Sequence, residues 1–171
     1  MSILMKYFII SIIILCITSC GNNTKEEFKN GLLCKCVIFP TGTFHETYQI
    51  NLYEDGNIST SFGTRKMDLS SCLAQKKVIE EVVIDKIEEK RTGKINAIKL
   101  STIKDCVSHH IGEQCFHTEC LDIKDSWCVL IETSESISLH AISDFDNNNI
   151  KQLYELMREC SPKHIKIHGW S

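Results

Sequence analysis

Proline is scarce, with two residues in a chain of 171. No low-complexity or repeated block appears either, so nothing marks a linker between two globular parts. No basic stripe runs along the chain, and the formal net charge is −3 at pH 7. Both facts disfavour a nucleic-acid binder and attachment to a membrane through a polybasic face. No apolar stretch reaches the ~20 residues that a transmembrane helix needs. A Gly-x-Ser-x-Gly elbow, a His-Glu-x-x-His pair, a phosphate-cradling glycine loop and a Ser-x-x-Lys motif are all missing. The common sequence routes to a hydrolase or nucleotide enzyme are therefore closed, and no catalytic residue and no cofactor is assigned.

What is present begins at the N-terminus. Lys6 supplies a positive charge, and Tyr7 to Ile17 form an apolar run broken only by Ser11. A charged start, a short apolar core and then small residues form the pattern of a secretory signal. The stretch ends in Ile17, Thr18, Ser19 and Cys20. This "ITSC" resembles the lipobox of bacterial lipoproteins: an aliphatic residue, two small residues, then cysteine. The resemblance implies cleavage before Cys20, a diacylglycerol on its thiol and an acyl chain on the new amino group. Each buried methylene adds ~0.8 kcal/mol of membrane affinity, and two or more chains make a lasting anchor. Cys16 is a poor rival, because bulky residues precede it.

Residues 1–19 are thus expected to be a lipoprotein signal peptide and residues 20–31 a flexible tether. "GNNTKEEFKNG" holds one apolar residue, Phe28, and cannot order itself by burial. Gly21 is not the aspartate of an inner-membrane retention signal, so the implied address is the outer membrane, on its periplasmic or surface face. Lys25, Glu26 and Glu27 loosely resemble a surface-export tag. Residues 32–171 are expected to form one domain, long enough to bury ~70% of its unfolded surface.

Ten cysteines occur in all. Apart from Cys16 and Cys20 they are Cys34, Cys36, Cys72, Cys106, Cys115, Cys120, Cys128 and Cys160. An even number in an exported chain predicts disulfides, although eight cysteines allow 105 pairings and none can be chosen. In a strand Cys34 and Cys36 would share a face, so each should seek a different partner. The competing reading is a set of buried, reduced thiols.

The coarse structure is read from periodicity. "LLCKCVIFP" is a strand. Tyr48, Ile50 and Leu52 alternate with Gln49 and Asn51, Asp55-Gly56 signals a tight turn, and Ile58, Thr60 and Phe62 resume the alternation. "VIEEVVIDKIEEK" is β-branched and reads as strand. Ile95, Ile98, Thr102 and Ile103 fall near one face of a helix. Trp127, Val129 and Ile131 are expected across from Ile137, Leu139 and Ala141 in a second hairpin. Ile150, Leu153, Tyr154 and Met157 form a helical stripe that Asn147 or Asn148 can cap. "HIKIHGW" closes the chain as a short edge strand. The fold class expected is α+β: an antiparallel sheet of two hairpins and further strands, about two amphipathic helices on one face, and a disulfide brace. In layout this resembles small bacterial envelope lipoproteins, and that resemblance carries no functional residues.

Three constellations could carry chemistry. Cys106, His109, His110, Cys115, His117 and Cys120 offer zinc-type ligands, but not at a paired Cys-x-x-Cys spacing, so a pinned loop is preferred and no metal is assigned. Asp144, Asp146, Asn148 and Glu155 match positions of a calcium loop. Asn149 stands there where the loop needs glycine, and a helix cap explains the same residues. A Cys/His nucleophile would require a thiolate of lowered pKa. The favoured function is a membrane-anchored envelope lipoprotein that binds a protein or glycan. The alternative is a small envelope enzyme or metal-binding protein using the Cys106–Cys120 loop. Tyr53, Trp127 and Trp170 are candidate contact aromatics.

Overall fold

A computed structural model describes residues 27–41, 46–65, 82–110, 126–145 and 147–167. The chain separates into two compact units, residues 1–31 and 32–171, and the second holds all the elements below.

The second unit is a six-stranded sheet with every neighbouring pair antiparallel. Its strands are β1 (Leu32–Pro40), β2 (Glu46–Tyr53), β3 (Asn57–Arg65), β4 (Ile84–Lys94), β5 (Trp127–Glu132) and β6 (Ile137–Ala141), in the spatial order β4-β3-β2-β1-β5-β6. Helix α1 (Ala97–His110) lies between β4 and β5 in sequence, and α2 (Asn148–Cys160) follows β6. The α+β class and the antiparallel sheet are as expected from the hairpin signals.

β1 and β5 are neighbouring interior strands and are buried on both faces. Cys34, Cys36 and Ile38 of β1 and Trp127, Val129 and Ile131 of β5 belong to one core cluster, while Val37, Phe39, Cys128 and Leu130 belong to another. The first cluster also takes in Tyr48, Ile50, Leu52 and Ile58. Both helices close over that face. α1 contributes Ile103, Cys106 and Val107, and α2 contributes Ile150, Leu153, Tyr154 and Met157. Full burial of each such side chain stabilises by ~1.5–3 kcal/mol.

α2 begins where expected. The Asn147 side chain accepts from the backbone N–H of Asn149 at 2.8 Å and of Ile150 at 3.4 Å, satisfying two otherwise orphaned donors. Its buried residues are the four read from the sequence. α1 is capped in the same way by Asn96, whose side chain accepts from Lys99 N–H at 2.9 Å. Lys99 reaches Glu159 of α2 at 2.7 Å, and Lys104 reaches Glu54 in the β2–β3 turn at 2.6 Å. Gly56 sits in that turn at φ 82°, a conformation that costs glycine little.

Four expectations need correction. Ile98 is 80% exposed; the inner face of α1 runs through Ile103, Cys106 and Val107 instead. β4 starts at Ile84 and extends to Lys94, past the stretch read as strand. In the second hairpin Leu130 pairs with Leu139, Val129 with His140, and Ile131 with Ser138. Trp127, Val129 and Ile131 thus face away from Ile137, Leu139 and Ala141, one residue from the expected register. Residues 164–167 are irregular rather than strand, though Ile165 is buried in the core; the rest of "HIKIHGW" lies outside the described residues.

β4 forms an edge. It carries two extra residues against β3: Glu88 is skipped between the Phe62–Glu89 and Gly63–Ile87 pairs, and Asp85 between Thr64–Lys86 and Arg65–Ile84. Bulges and charges of this kind discourage further strands from adding to an edge. Gly63 is required at the first bulge, because a Cβ there would lie 2.0 Å from the Lys86 carbonyl oxygen.

Candidate binding face

The helices cover one face of the sheet. The other face divides in two across the strands. Toward β5 and β6 it is apolar, with Val37, Phe39, Leu130, Leu139 and Ala141 in one buried cluster. Toward β4 it is hydrophilic, and the register builds it row by row.

Thr92 of β4 pairs with Ser59, Ser59 with Asn51, Asn51 with Lys35, and Lys35 with Glu132. One row beneath, Lys90 pairs with Ser61, Ser61 with Gln49, and Gln49 with Val37. Side chains in register across a sheet share a face. Polar residues therefore run side by side over five strands in the upper row and over three in the lower, where Val37 ends the run. Gln49 Nε2 donates to Asn51 Oδ1 at 3.1 Å. Lys35 and Glu132 form a largely buried ion pair at 3.5 Å, which closes the upper row against the apolar half.

At the β4 end of these rows lies an open groove of about 410 Å³. Tyr53, Asn57, Ser59, Lys90 and Thr92 line it, together with Ile58 and Gly93. Its size falls within the ~300–1,000 Å³ of small-ligand sites. A Cβ at Gly93 would make ordinary contact, 3.4 Å from Cβ of Pro162 on the opposite face. Asp55 is held by Asn57, accepting from its backbone N–H at 2.9 Å and its side-chain amide at 2.5 Å.

The cysteines are placed differently from the expectation. Cys34, Cys36, Cys106, Cys128 and Cys160 form no disulfide among themselves. Cys34 and Cys36 do share a face, but that face is the apolar core beneath α2, and Cys128 lies on the opposite face. Burial pushes the Cys34 thiol up to about 12, with Glu132 adding to the effect. Burial also raises Cys36, helped by Cys34, and raises Cys106 and Cys160. Such thiols are poor nucleophiles at neutral pH. Cys20, Cys72, Cys115 and Cys120 lie outside the described residues.

The other constellations do not assemble. Cys106 points into the core while His109 is exposed on α1, its Nδ1 2.6 Å from the Asp105 carbonyl oxygen. His117 lies outside the described residues, as does Asp146. Among the described residues no group of three His, Cys, Asp or Glu side chains could hold a metal. Asn148 to Cys160 is continuous helix, so Glu155 sits within α2 rather than closing a calcium loop. Trp127 is buried in the core, Trp170 lies outside the described residues, and Tyr53 lines the groove.

The polar rows were not singled out from the sequence. Their signal was Gln49 and Asn51, then Ser59 and Ser61, alternating with apolar residues; this pattern marks a face without saying what that face meets. No protein-family model matches the chain, and no curated protein matches it at a significant level.

Proposed function

We propose that this protein is a cell-envelope lipoprotein, anchored through lipids on Cys20, whose sheet presents a non-catalytic binding face to an envelope protein or glycan. The lipobox-like "ITSC" supports the anchor. The observation that carries the binding role is the division of labour in the sheet. Both helices pack on one face, while the other carries rows of amide, hydroxyl and amino side chains ending in a groove; Lys90 and Thr92 are exposed and Gln49 and Asn51 half-buried, whereas Ser59, Ser61 and Lys35 are buried. A few convergent polar groups in a concavity are what a binding site needs.

An enzyme built on Cys106 is the weaker reading, because that thiol is buried and its pKa raised. The disulfide brace is retained only for cysteines outside the described residues, Cys72, Cys115 and Cys120.

The test is amide chemical-shift mapping of the full chain in detergent micelles, titrated with protein and glycan fractions of a bacterial envelope. Shifts clustering at Gln49, Asn51, Ser59, Ser61, Lys90 and Thr92 are expected. Shifts confined to α1 and α2, or none, would overturn the assignment of the binding face.

A further inference from the structure

We infer that the groove beside β4 takes an anionic saccharide, one whose sugar rings carry carboxylates. This rests on the binding role proposed above and narrows it to a ligand class.

Three observations point the same way. First, the polar lining is made of groups that both donate and accept: the Ser59 and Thr92 hydroxyls and the Asn57 amide. Neighbouring hydroxyls on a sugar also donate and accept, so each can be matched without leaving a partner unsatisfied. Second, Tyr53 supplies an aromatic ring at the rim. The C–H face of a pyranose can lie on such a ring while the phenol stays in water. Third, the groove is charged with one sign. Among the described residues no carboxylate lines it. Among the described residues no ion pair involves Lys90, whereas its neighbours on β4 are committed. Arg91 pairs with Glu89 at 2.6 Å, and Glu89 also holds Lys163. Lys90 therefore offers an uncompensated ammonium beside hydroxyl-matching groups.

Alternative ligands fit less well. An added β-strand would meet an edge interrupted by bulges at Glu88 and Asp85. A nucleic acid would require several cations converging on the groove, whereas Lys90 is the one lysine lining it among the described residues and the chain carries a net charge of −3. A neutral sugar would leave Lys90 without a partner.

The test uses the full chain in detergent, titrated with an oligogalacturonate, its carboxyl-reduced neutral counterpart, and polyglutamate as an anion without sugar. Saturable binding of the oligogalacturonate is expected, with both other probes at least about tenfold weaker, a difference of ~1.4 kcal/mol. Lys90→Ala should cut oligogalacturonate affinity by about tenfold and abolish the preference over the neutral chain. Tyr53→Ala should weaken both saccharides. Lys86→Ala, on the same strand but paired with Thr64 away from the groove, should change neither. Circular dichroism checks that each variant folds.

Absent binding, equal binding of polyglutamate, or an unchanged affinity in Lys90→Ala would overturn the inference. Envelope fractions that still shift the sheet face while oligogalacturonate does not would refute the ligand class and leave the binding face standing. Silence from both would refute the two together.

Discussion

Cys34 and Cys36 stand two residues apart on β1, both fully buried on the helix-covered face of the sheet. They act as core hydrophobes rather than as a reactive or bridged pair. In the folded protein the Cys34 thiol loses its proton only at about 12, against an ordinary value of 9.0. The unfolded chain ionises first as pH rises, so folding stability contributed by this thiol is intact below about pH 9 and is lost between there and about 12. Thermal denaturation should show that decline, and Cys34→Ala should flatten it. A thiol reagent at pH 7 should leave Cys34 and Cys36 unlabelled until denaturant is added.

The stripe on α2 holds the helix against the sheet. Leu153 and Met157 are completely buried. Leu153→Ala should destabilise by about 2–5 kcal/mol, from lost burial and the cavity left behind. Asn147→Ala should remove the cap and cost about 0.5–2 kcal/mol. Urea denaturation checks both, and the cap variant should retain the native slope.

Gly63 has no room for a methyl group. With a backbone oxygen 2.0 Å from the position a Cβ would take, Gly63→Ala must move β4 or break its bulge. The cost should reach or exceed the ~1–3 kcal/mol of an overpacked core. Hydrogen exchange should show lost protection in β3 and β4 while β1 and β5 stay protected.

The α2 stripe and the β2–β3 hairpin were legible because each carries one strong local signal. Ile150, Leu153, Tyr154 and Met157 repeat at helical spacing, and Asp55-Gly56 forces the turn. The β5–β6 register was not legible. Trp127 to Ile131 is apolar at every position, so a slip of one residue changes nothing in its pattern. The connection decides instead: Thr133 N–H donates to the Ser136 carbonyl oxygen at 2.9 Å, and Thr133 Oγ1 accepts from Ser136 N–H at 3.0 Å, which sets Glu132 opposite Ile137. The cysteines misled for a related reason. Their even number says nothing about which face each occupies, and Cys36 and Cys128 point to opposite sides of one sheet. The groove depends on β4 reaching β3 from a distant part of the chain, so no local window contained it.

Glu89 joins β4 to the segment after α2. It accepts from Lys163 and from Arg91, and these bonds hold its carboxyl below the ordinary 4.5, Lys163 being the larger cause. Lys163 also lies 5.1 Å above the Phe62 ring. A depressed carboxylate stabilises above its unfolded value and loses that contribution as pH falls through the folded one. Melting temperature should therefore drop on acidification below about pH 4.5, and Lys163→Ala should make that drop smaller. An unchanged acid profile in the variant would remove this role.

The proposed membrane anchor depends on where the chain is cut and what is attached there. Intact mass of the protein extracted from its native membrane measures both at once. The predicted result is a chain starting at Cys20 that is heavier than its sequence by a diacylglyceryl group and an acyl chain, and a Cys20→Ala variant that remains uncleaved and unlipidated. A chain starting at Met1, or one starting at residue 20 without lipid, would contradict it.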